Sequence, residues 1–190
     1  MRNTDLICAV DDEQTVQLMR LFNEEAGREY LVEHGVPEEL VSQLDLLGIS
    51  SICNLVAAIK TARWYGLDSR HVLFTPLTDS MELYSSRIRE LRAERGPYTR
   101  DHAVAHYARY LEGIVTDHVR ELTHFDRRAL HNLKYFTWVE QQGKTVEELE
   151  ELWDEDFWED VFSDEQVREW DALITRFNER TGLLKEIGAA

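Results

Sequence analysis

Cysteine, proline and glycine are all scarce in this 190-residue chain, which contains 2, 3 and 9 of them. Cys8 and Cys53 lie far apart in apolar contexts, so the sequence predicts two reduced, buried thiols and not a disulfide-based scaffold. The glycines are scattered along the chain. They therefore form no glycine-rich loop of the kind whose backbone amides bind a phosphate group.

Positive charge is also in short supply. Lysine and arginine together number 21 against 37 aspartates and glutamates, which gives a formal net charge of −16. Nucleic acids and anionic membranes attract basic surfaces, not acidic ones. The composition therefore excludes both as expected partners.

Long apolar runs are missing as well. No stretch approaches the ~20 consecutive apolar residues that a membrane-spanning helix needs. The N-terminal sequence MRNTDLICAV lacks an apolar core of the length usual in a secretory signal. With 43% hydrophobic residues and no sign of export, the sequence predicts a globular cytoplasmic protein.

The stretch 48–84 organises the expected fold. Gly48 ends the segment before it, and Ser50 or Ser51 is placed to cap a helix that stops at Gly66. The apolar, β-branched run 71–75 that follows predicts a buried strand. A helix that leads into such a strand is typical of a parallel α/β unit, in which ligands bind beyond the carboxyl ends of the strands. We therefore expect a binding edge just after residue 75.

The chain changes character after this stretch. Residues 1–85 predict an α/β half-domain, with a further short strand over 5–10. Residues 86–190 predict an all-helical extension, because apolar residues recur there at helical spacing between glycine and proline breaks. Aromatic residues are interleaved with the acidic run 147–160. This pattern fits a solvated helix whose aromatic side chains pack inward, and it also fits a surface that contacts another subunit.

Two motifs in the central stretch carry a family resemblance. Gly48-Ile-Ser-Ser51 opening an alanine-containing helix, followed by Thr78-Asp-Ser-Met-Glu-Leu-Tyr84, resembles fold-type II pyridoxal-phosphate-dependent enzymes. This family includes cysteine synthase and threonine synthase. The segment 131–145 is similar to a tail of a threonine-synthase-like subgroup, so the resemblance extends over most of the chain. It implies part of that family's parallel sheet, and a lyase or synthase that performs β- or γ-elimination or replacement on an amino acid.

The resemblance also implies a cofactor site. It places Thr78, Asp79 and Ser80 at the pyridine nitrogen of pyridoxal 5′-phosphate, and it leaves open whether Thr78 or Asp79 makes that contact. The helix start would form a wall of the substrate pocket. Its residues in this chain are Gly48, Ser50 and Ser51. The structural alternative is that the turn only closes a strand and the serines only cap a helix.

The lysine that the family requires is missing from this chain. None of the four lysines stands in the Asn-Pro-Thr-Gly-Ser-x-Lys-like context of the Schiff-base lysine; they are Lys60, Lys134, Lys144 and Lys185. No catalytic residue is therefore assigned here. The expectation is a non-lysine subunit, or the C-terminal part, of an enzyme in which a larger partner supplies the lysine and the phosphate loop. Whether such a chain is a natural small subunit or a shortened polypeptide stays open.

Two rival functions belong to other classes. The first is a catalytically silent helical adaptor or regulatory protein. The second is a metal-binding helical protein that uses His102 and His106, four residues apart on one helix. No third ligand follows at a recognised spacing, so the sequence favours an exposed polar face and predicts no metal site.

Overall fold

A computed structural model describes residues 2–188 of the chain. Its internal contacts divide the chain into two compact units. One is formed by Asp5–Glu121, and the other by the residues before Asp5 together with those from Leu122 onward. The predicted boundary, after residue 85, followed the change from α/β to helical character, whereas the contacts divide the chain at residue 121.

The predicted parallel α/β fold is wrong, because the structure is mostly helical. The one sheet in the described residues has two antiparallel strands, β1 (Leu6–Cys8) and β2 (Val119–Glu121). Leu6 pairs with Glu121, and Cys8 pairs with Val119. The short strand predicted over 5–10 therefore exists, but its partner lies inside the segment that was predicted to be all helical.

Six α-helices make up most of the Asp5–Glu121 unit. They are α1 (Asp12–Asn23), α2 (Glu25–Glu33), α3 (Glu38–Ser42), α4 (Ile49–Tyr65), α5 (Ser85–Arg95) and α6 (Arg100–Tyr107). Short 3-10 helices cover Leu44–Leu46 and Met81–Tyr84, and a π-helical turn covers Ala108–Glu112.

Helix α4 ends at the predicted glycine and begins two or three residues earlier than a cap at Ser50 or Ser51 predicts. It ends at Gly66, whose φ of 60° is the left-handed conformation that glycine adopts without strain. Ile52 and Val56 lie on its buried face and are fully buried. They pack into a core formed with α1, α2, α5 and α6, which includes Leu18, Met19, Leu21, Phe22, Tyr30, Leu31, Leu91, Tyr98 and Ala103.

A buried ion pair lies in this core. Arg20 and Glu24 are 2% and 3% exposed, and Arg20 Nε lies 2.5 Å from Glu24 Oε1. Arg20 also donates to the carbonyl of Gly96 at 2.9 Å, and Arg92 Nε donates to Glu24 Oε2 at 2.7 Å. The Arg20 guanidinium lies over the ring of Tyr98, 5.0 Å from its centroid. Both charges are thus compensated, as burial in a core requires.

The strand predicted over 71–75 is absent, which is the main reason that no parallel sheet forms. Within the described chain, residues 72–75 form no backbone hydrogen bond and belong to no helix or strand. Val72 and Phe74 are 93% and 94% exposed. High β-propensity produces a strand only where a neighbouring strand accepts its hydrogen bonds. The two described strands pair with each other and leave no such neighbour.

The second unit is built from shorter helices and one long one. They are α7 (His124–Asn132), α8 (Val146–Glu151), α9 (Glu155–Val161), α10 (Asp164–Thr181) and α11 (Leu183–Glu186), with a π-helical turn at Tyr135–Val139. Thr145 caps α8 and Ser163 caps α10 as their positions in the sequence predict. Between residues 2 and 188, no helix has both the length and the apolar character needed to cross a membrane.

Candidate functional site

The two motifs singled out in the sequence meet at the start of α4. The amide of Gly48 donates to the carbonyl of Asp79 at 2.9 Å, although 31 positions separate them in the chain. We call this group the α4 cap cluster. It consists of Gly48, Ser50, Ser51, Thr78, Asp79 and Tyr84.

The carboxylate of Asp79 is the centre of the α4 cap cluster. It accepts hydrogen bonds from the amides of Ser50 and Ser51 at 3.0 and 2.8 Å. The hydroxyl of Tyr84 donates to it at 2.8 Å. The first amides of a helix have no partner within the helix and carry its positive dipole end, so an anion is favoured there. Asp79 therefore caps α4 from a distant part of the chain.

The protonation of Asp79 reflects these contacts. Partial burial opposes ionisation, but hydrogen bonds from the Ser51 and Tyr84 hydroxyls and from the two amides outweigh it and lower the pKa of Asp79 to about 2. The same bond raises the pKa of Tyr84, because the phenol donates its proton to a carboxylate. At neutral pH the cluster therefore contains an ionised aspartate and a neutral tyrosine.

Ser51 ties the turn to the helix. Its side chain is fully buried, and its hydroxyl accepts from the amides of Thr78 and Asp79 at 3.0 and 3.3 Å. The hydroxyl proton points to Asp79, whose Oδ1 lies 2.7 Å away and whose carbonyl oxygen lies 2.9 Å away. Neither Ser51 nor Ser50 is the N-cap residue predicted from the sequence. Gly48 holds that position and offers no side chain.

Gly48 is needed because the carboxylate approaches so closely. A Cβ built on Gly48 would lie 2.5 Å from Cγ of Asp79, which is shorter than any acceptable contact. The aspartate reaches the helix start only because glycine leaves this space free.

The remaining predicted site residues differ in what they contact. Thr78 has an exposed side chain, and within the described residues its hydroxyl has no hydrogen-bond partner. Ser50 contributes its amide while its side chain is exposed. Ser80 precedes the 3-10 helix Met81–Tyr84 and makes no side-chain cap. The hydroxyls of Thr78 and Ser50 are thus both exposed and, within the described residues, both without a hydrogen-bond partner.

Tyr84 is a contributor that the sequence argument did not single out. It ends the second motif, and the family resemblance gives it no role. Its spacing of five from Asp79, across a one-turn 3-10 helix, is the only signal that could have indicated the contact.

The α4 cap cluster meets only part of what pyridoxal phosphate needs. An exposed Thr78 hydroxyl suits a neutral hydrogen bond to a ring nitrogen. The first amides of α4 do not suit the phosphate, because Asp79 already occupies them. Lys60, the lysine on α4, is buried, donates to the carbonyl of Ala9 at 2.9 Å and forms an ion pair with Asp117 at 2.7 Å. The cluster therefore fits one edge of the cofactor and neither its phosphate nor its lysine.

The histidine pair on α6 has local partners. His102 Nδ1 accepts from the amide of Thr99 at 3.1 Å and so helps to cap the helix. His106 Nδ1 lies 3.0 Å from the hydroxyl of Tyr98, and burial together with the nearby His102 lowers the pKa of His106. Over residues 2–188 no three side chains of the metal-binding types are grouped as a metal site requires.

Comparisons with known proteins give no further lead. No protein-family model matches the chain, no curated protein matches it, and no solved structure matches its fold.

Proposed function

We propose that this chain is the non-lysine subunit, or the C-terminal part, of a pyridoxal-phosphate-dependent enzyme that acts on an amino acid. One observation carries the proposal. The two motifs that the resemblance assigns to a single cofactor site lie within hydrogen-bond distance of each other, between Ser51 and the Thr78–Asp79 turn. This contact is reached even though the sheet that links the two motifs in that family is absent here.

The geometry favours Thr78 over Asp79 as the partner of the ring nitrogen. Asp79 directs both carboxylate oxygens at the start of α4 and at Tyr84, whereas the Thr78 hydroxyl is exposed and free. Bound pyridoxal phosphate withdraws electrons from an attached amino acid, which is the chemistry of elimination and replacement reactions. In this proposal Thr78 orients the ring, and Gly48 and Ser50 line the pocket wall beside it.

A larger partner chain completes the proposed enzyme and supplies the Schiff-base lysine and the phosphate loop. The exposed apolar side chains of Val72 and Phe74, immediately before the α4 cap cluster, support such a partner, because a monomer gains nothing by leaving them in water. Cys8 and Cys53 are free thiols, which suits a reducing compartment such as the cytoplasm. The proposed assembly is a cytoplasmic hetero-oligomer with a small amino acid as substrate.

A silent helical adaptor or regulatory protein is the second candidate. The helical fold favours it, because this chain does not build the sheet of the enzyme family by itself. The two candidates differ in one respect that can be measured: the adaptor binds no pyridoxal phosphate in any assembly.

The purified chain alone should form no specific adduct with pyridoxal phosphate. Lys60 is buried in an ion pair, and the other lysines lie in the helical second half without the required context. Borohydride reduction after incubation with pyridoxal phosphate, followed by peptide mapping, should give only sparse labelling spread over several lysines. Full labelling of one lysine would show that the chain carries its own cofactor lysine and would contradict the proposed division of roles.

Thr78→Val should weaken cofactor retention in the complete assembly by about 2- to 10-fold, because one neutral hydrogen bond contributes roughly 0.5–1.5 kcal/mol. The absorbance of the bound cofactor should shift with it. Equilibrium dialysis and absorption spectra measure both effects. Thr175→Val, the same change at an exposed position of α10, is the control and should alter neither. If Thr78→Val also leaves both unchanged, Thr78 does not contact the cofactor.

A further inference from the structure

The second unit contains a buried histidine that has no role in the proposed cofactor site. His131, near the end of α7, is fully buried. Within residues 2–188 neither of its ring nitrogens has a hydrogen-bond partner of normal geometry, although the backbone of Leu149 approaches the ring. A neutral imidazole carries one N–H donor and one acceptor nitrogen, and buried polar groups are normally paired. An unpaired imidazole therefore costs stability that an apolar ring in the same place would not cost.

His131 lies where α7 meets residues 146–153, which contain α8 and Trp153. We call these residues the α8 segment. The ring centroids of His131 and Trp153 are 5.2 Å apart at an interplanar angle of 63°, which is an edge-on contact. Leu149 on α8 is 4% exposed. His124 also meets the Trp153 ring edge-on, with centroids 5.8 Å apart, but its side chain is exposed. A proton on His131 would therefore place a charge inside the contact between α7 and the α8 segment.

The charges around His131 do not compensate such a positive charge. Arg128 and Lys134 are cations that act on the ring. Within the part of the chain that the structure describes, Glu150 on α8 is the one carboxylate that acts on it. Glu150 is already paired with Arg128, whose guanidinium also lies over the ring of Trp153. Protonated His131 would thus be buried near two cations, and the nearby carboxylate is shared with one of them.

The protonation of His131 follows from this environment. Burial, together with Lys134 and Arg128, lowers the pKa of His131 and outweighs the opposing effects of the Leu149 backbone and of Glu150. An unperturbed histidine has a pKa of about 6.5. Because the pKa is lower in the closed form, an opened form takes up the proton at a higher pH than the closed form does. The closed form therefore has its full stability above pH ~6.5 and loses stability as the pH falls from there through the pKa of the buried ring.

We propose that His131 makes the contact between α7 and the α8 segment pH-sensitive, so that the contact is closed while the ring is neutral and opens when the ring is protonated. Opening exposes the side chain of Leu149 and the edge of Trp153, which gives the second unit an apolar surface in acid that is covered at neutral pH. This inference is independent of the proposed cofactor function, because no residue of the α4 cap cluster takes part in it.

Hydrogen exchange of the α8 amides in the whole chain tests the proposal. After correction for the intrinsic pH dependence of exchange, the opening constant of α8 should rise as the pH falls below ~6.5, with a slope of at most about tenfold per pH unit, which is the slope for one bound proton. His131→Phe keeps a ring in place but cannot be protonated, so its opening constant should stay constant between about pH 7.5 and 5.5.

His124→Phe is the matched control, because His124 lies on the same helix and contacts the same Trp153 ring from an exposed position. It should keep the pH dependence of the wild-type chain. A wild-type opening constant that does not change with pH, or a His131→Phe variant that keeps the wild-type dependence, overturns the proposal.

An NMR titration of the histidine rings in the wild-type chain is a second test, which also decides the matter if His131→Phe does not fold. The His131 ring should titrate below the usual pKa of about 6.5. The indole N–H signal of Trp153 should shift with the same midpoint, because the two rings are in contact. A His131 ring that titrates at or above that value overturns the proposal, since protonation would then not favour the opened form.

Discussion

Glu24→Ala is expected to lower the free energy of unfolding of the Asp5–Glu121 unit by about 3–5 kcal/mol. Glu24 is 3% exposed and is the counter-ion of Arg20, which is 2% exposed. Removing the carboxylate leaves the guanidinium buried without compensation, and its interaction with the Gly96 carbonyl does not replace a charge. Urea unfolding followed by circular dichroism and tryptophan fluorescence measures the loss.

Two further variants distinguish the stability effect of a buried ion pair from that of an exposed one. Glu90→Ala removes a solvent-exposed partner of Arg87 on α5 and should cost at most about 1 kcal/mol. Combining Arg20→Met with Glu24→Leu removes both buried charges and should recover much of the stability lost in Glu24→Ala. If Glu24→Ala costs no more than Glu90→Ala, the ion pair is not buried in solution as described.

Asp79→Ala is expected to cost about 2 kcal/mol of unfolding free energy, because it removes the carboxylate that caps α4 and that accepts from two hydroxyl groups. Hydrogen bonds from the amides of Ser50 and Ser51 and from the hydroxyls of Ser51 and Tyr84 are all lost at once. Thermal and urea unfolding of the same unit report the change. Asp45→Ala, at an exposed position just before α4, serves as the control and should be nearly neutral.

The pH dependence of the unfolding free energy is a second test of whether the Asp79 carboxylate caps α4. Its pKa is about 2 in the folded chain, against about 3.9 for an unperturbed aspartate. Because the pKa of Asp79 is lower in the folded chain, the unfolded chain takes up the proton at a higher pH than the folded chain does. The contribution of Asp79 is therefore complete above pH ~4 and is lost as the pH falls toward 2. Asp79→Asn should flatten this part of the stability profile, whereas Asp45→Asn should leave it as in wild type. Identical profiles for Asp79→Asn and wild type would show that the carboxylate does not act as the cap.

Local signals in the sequence were sufficient for the ends of some helices. Gly48 and Gly66 bound α4, and Ser163 and Gly182 bound α10, because helix ends depend on residues within one turn. The strand over 71–75 was predicted from propensity alone and is wrong, because a strand depends on a neighbour that the local sequence does not reveal.

The candidate site was only partly predictable for the same reason. The sequence indicated that Ser51 and the Thr78–Asp79 turn belong together through the family resemblance, without any physical argument for their contact. The carboxylate of Asp79 caps α4 although it lies 28 residues after Ser51 in the sequence. No local sequence pattern indicates a cap from so far along the chain. The close approach at Gly48 is likewise visible only in three dimensions.

The most direct test of the proposed function is to find where pyridoxal phosphate is attached in the native assembly. The protein would be isolated with its associated chains from its source cells by a tag on this sequence, reduced with borohydride and mapped by mass spectrometry. The account predicts one fully labelled lysine outside these 190 residues, in a polypeptide that co-purifies or in a further part of the same one. Labelling confined to Lys60, Lys134, Lys144 or Lys185, or an assembly with no labelled lysine at all, would contradict it.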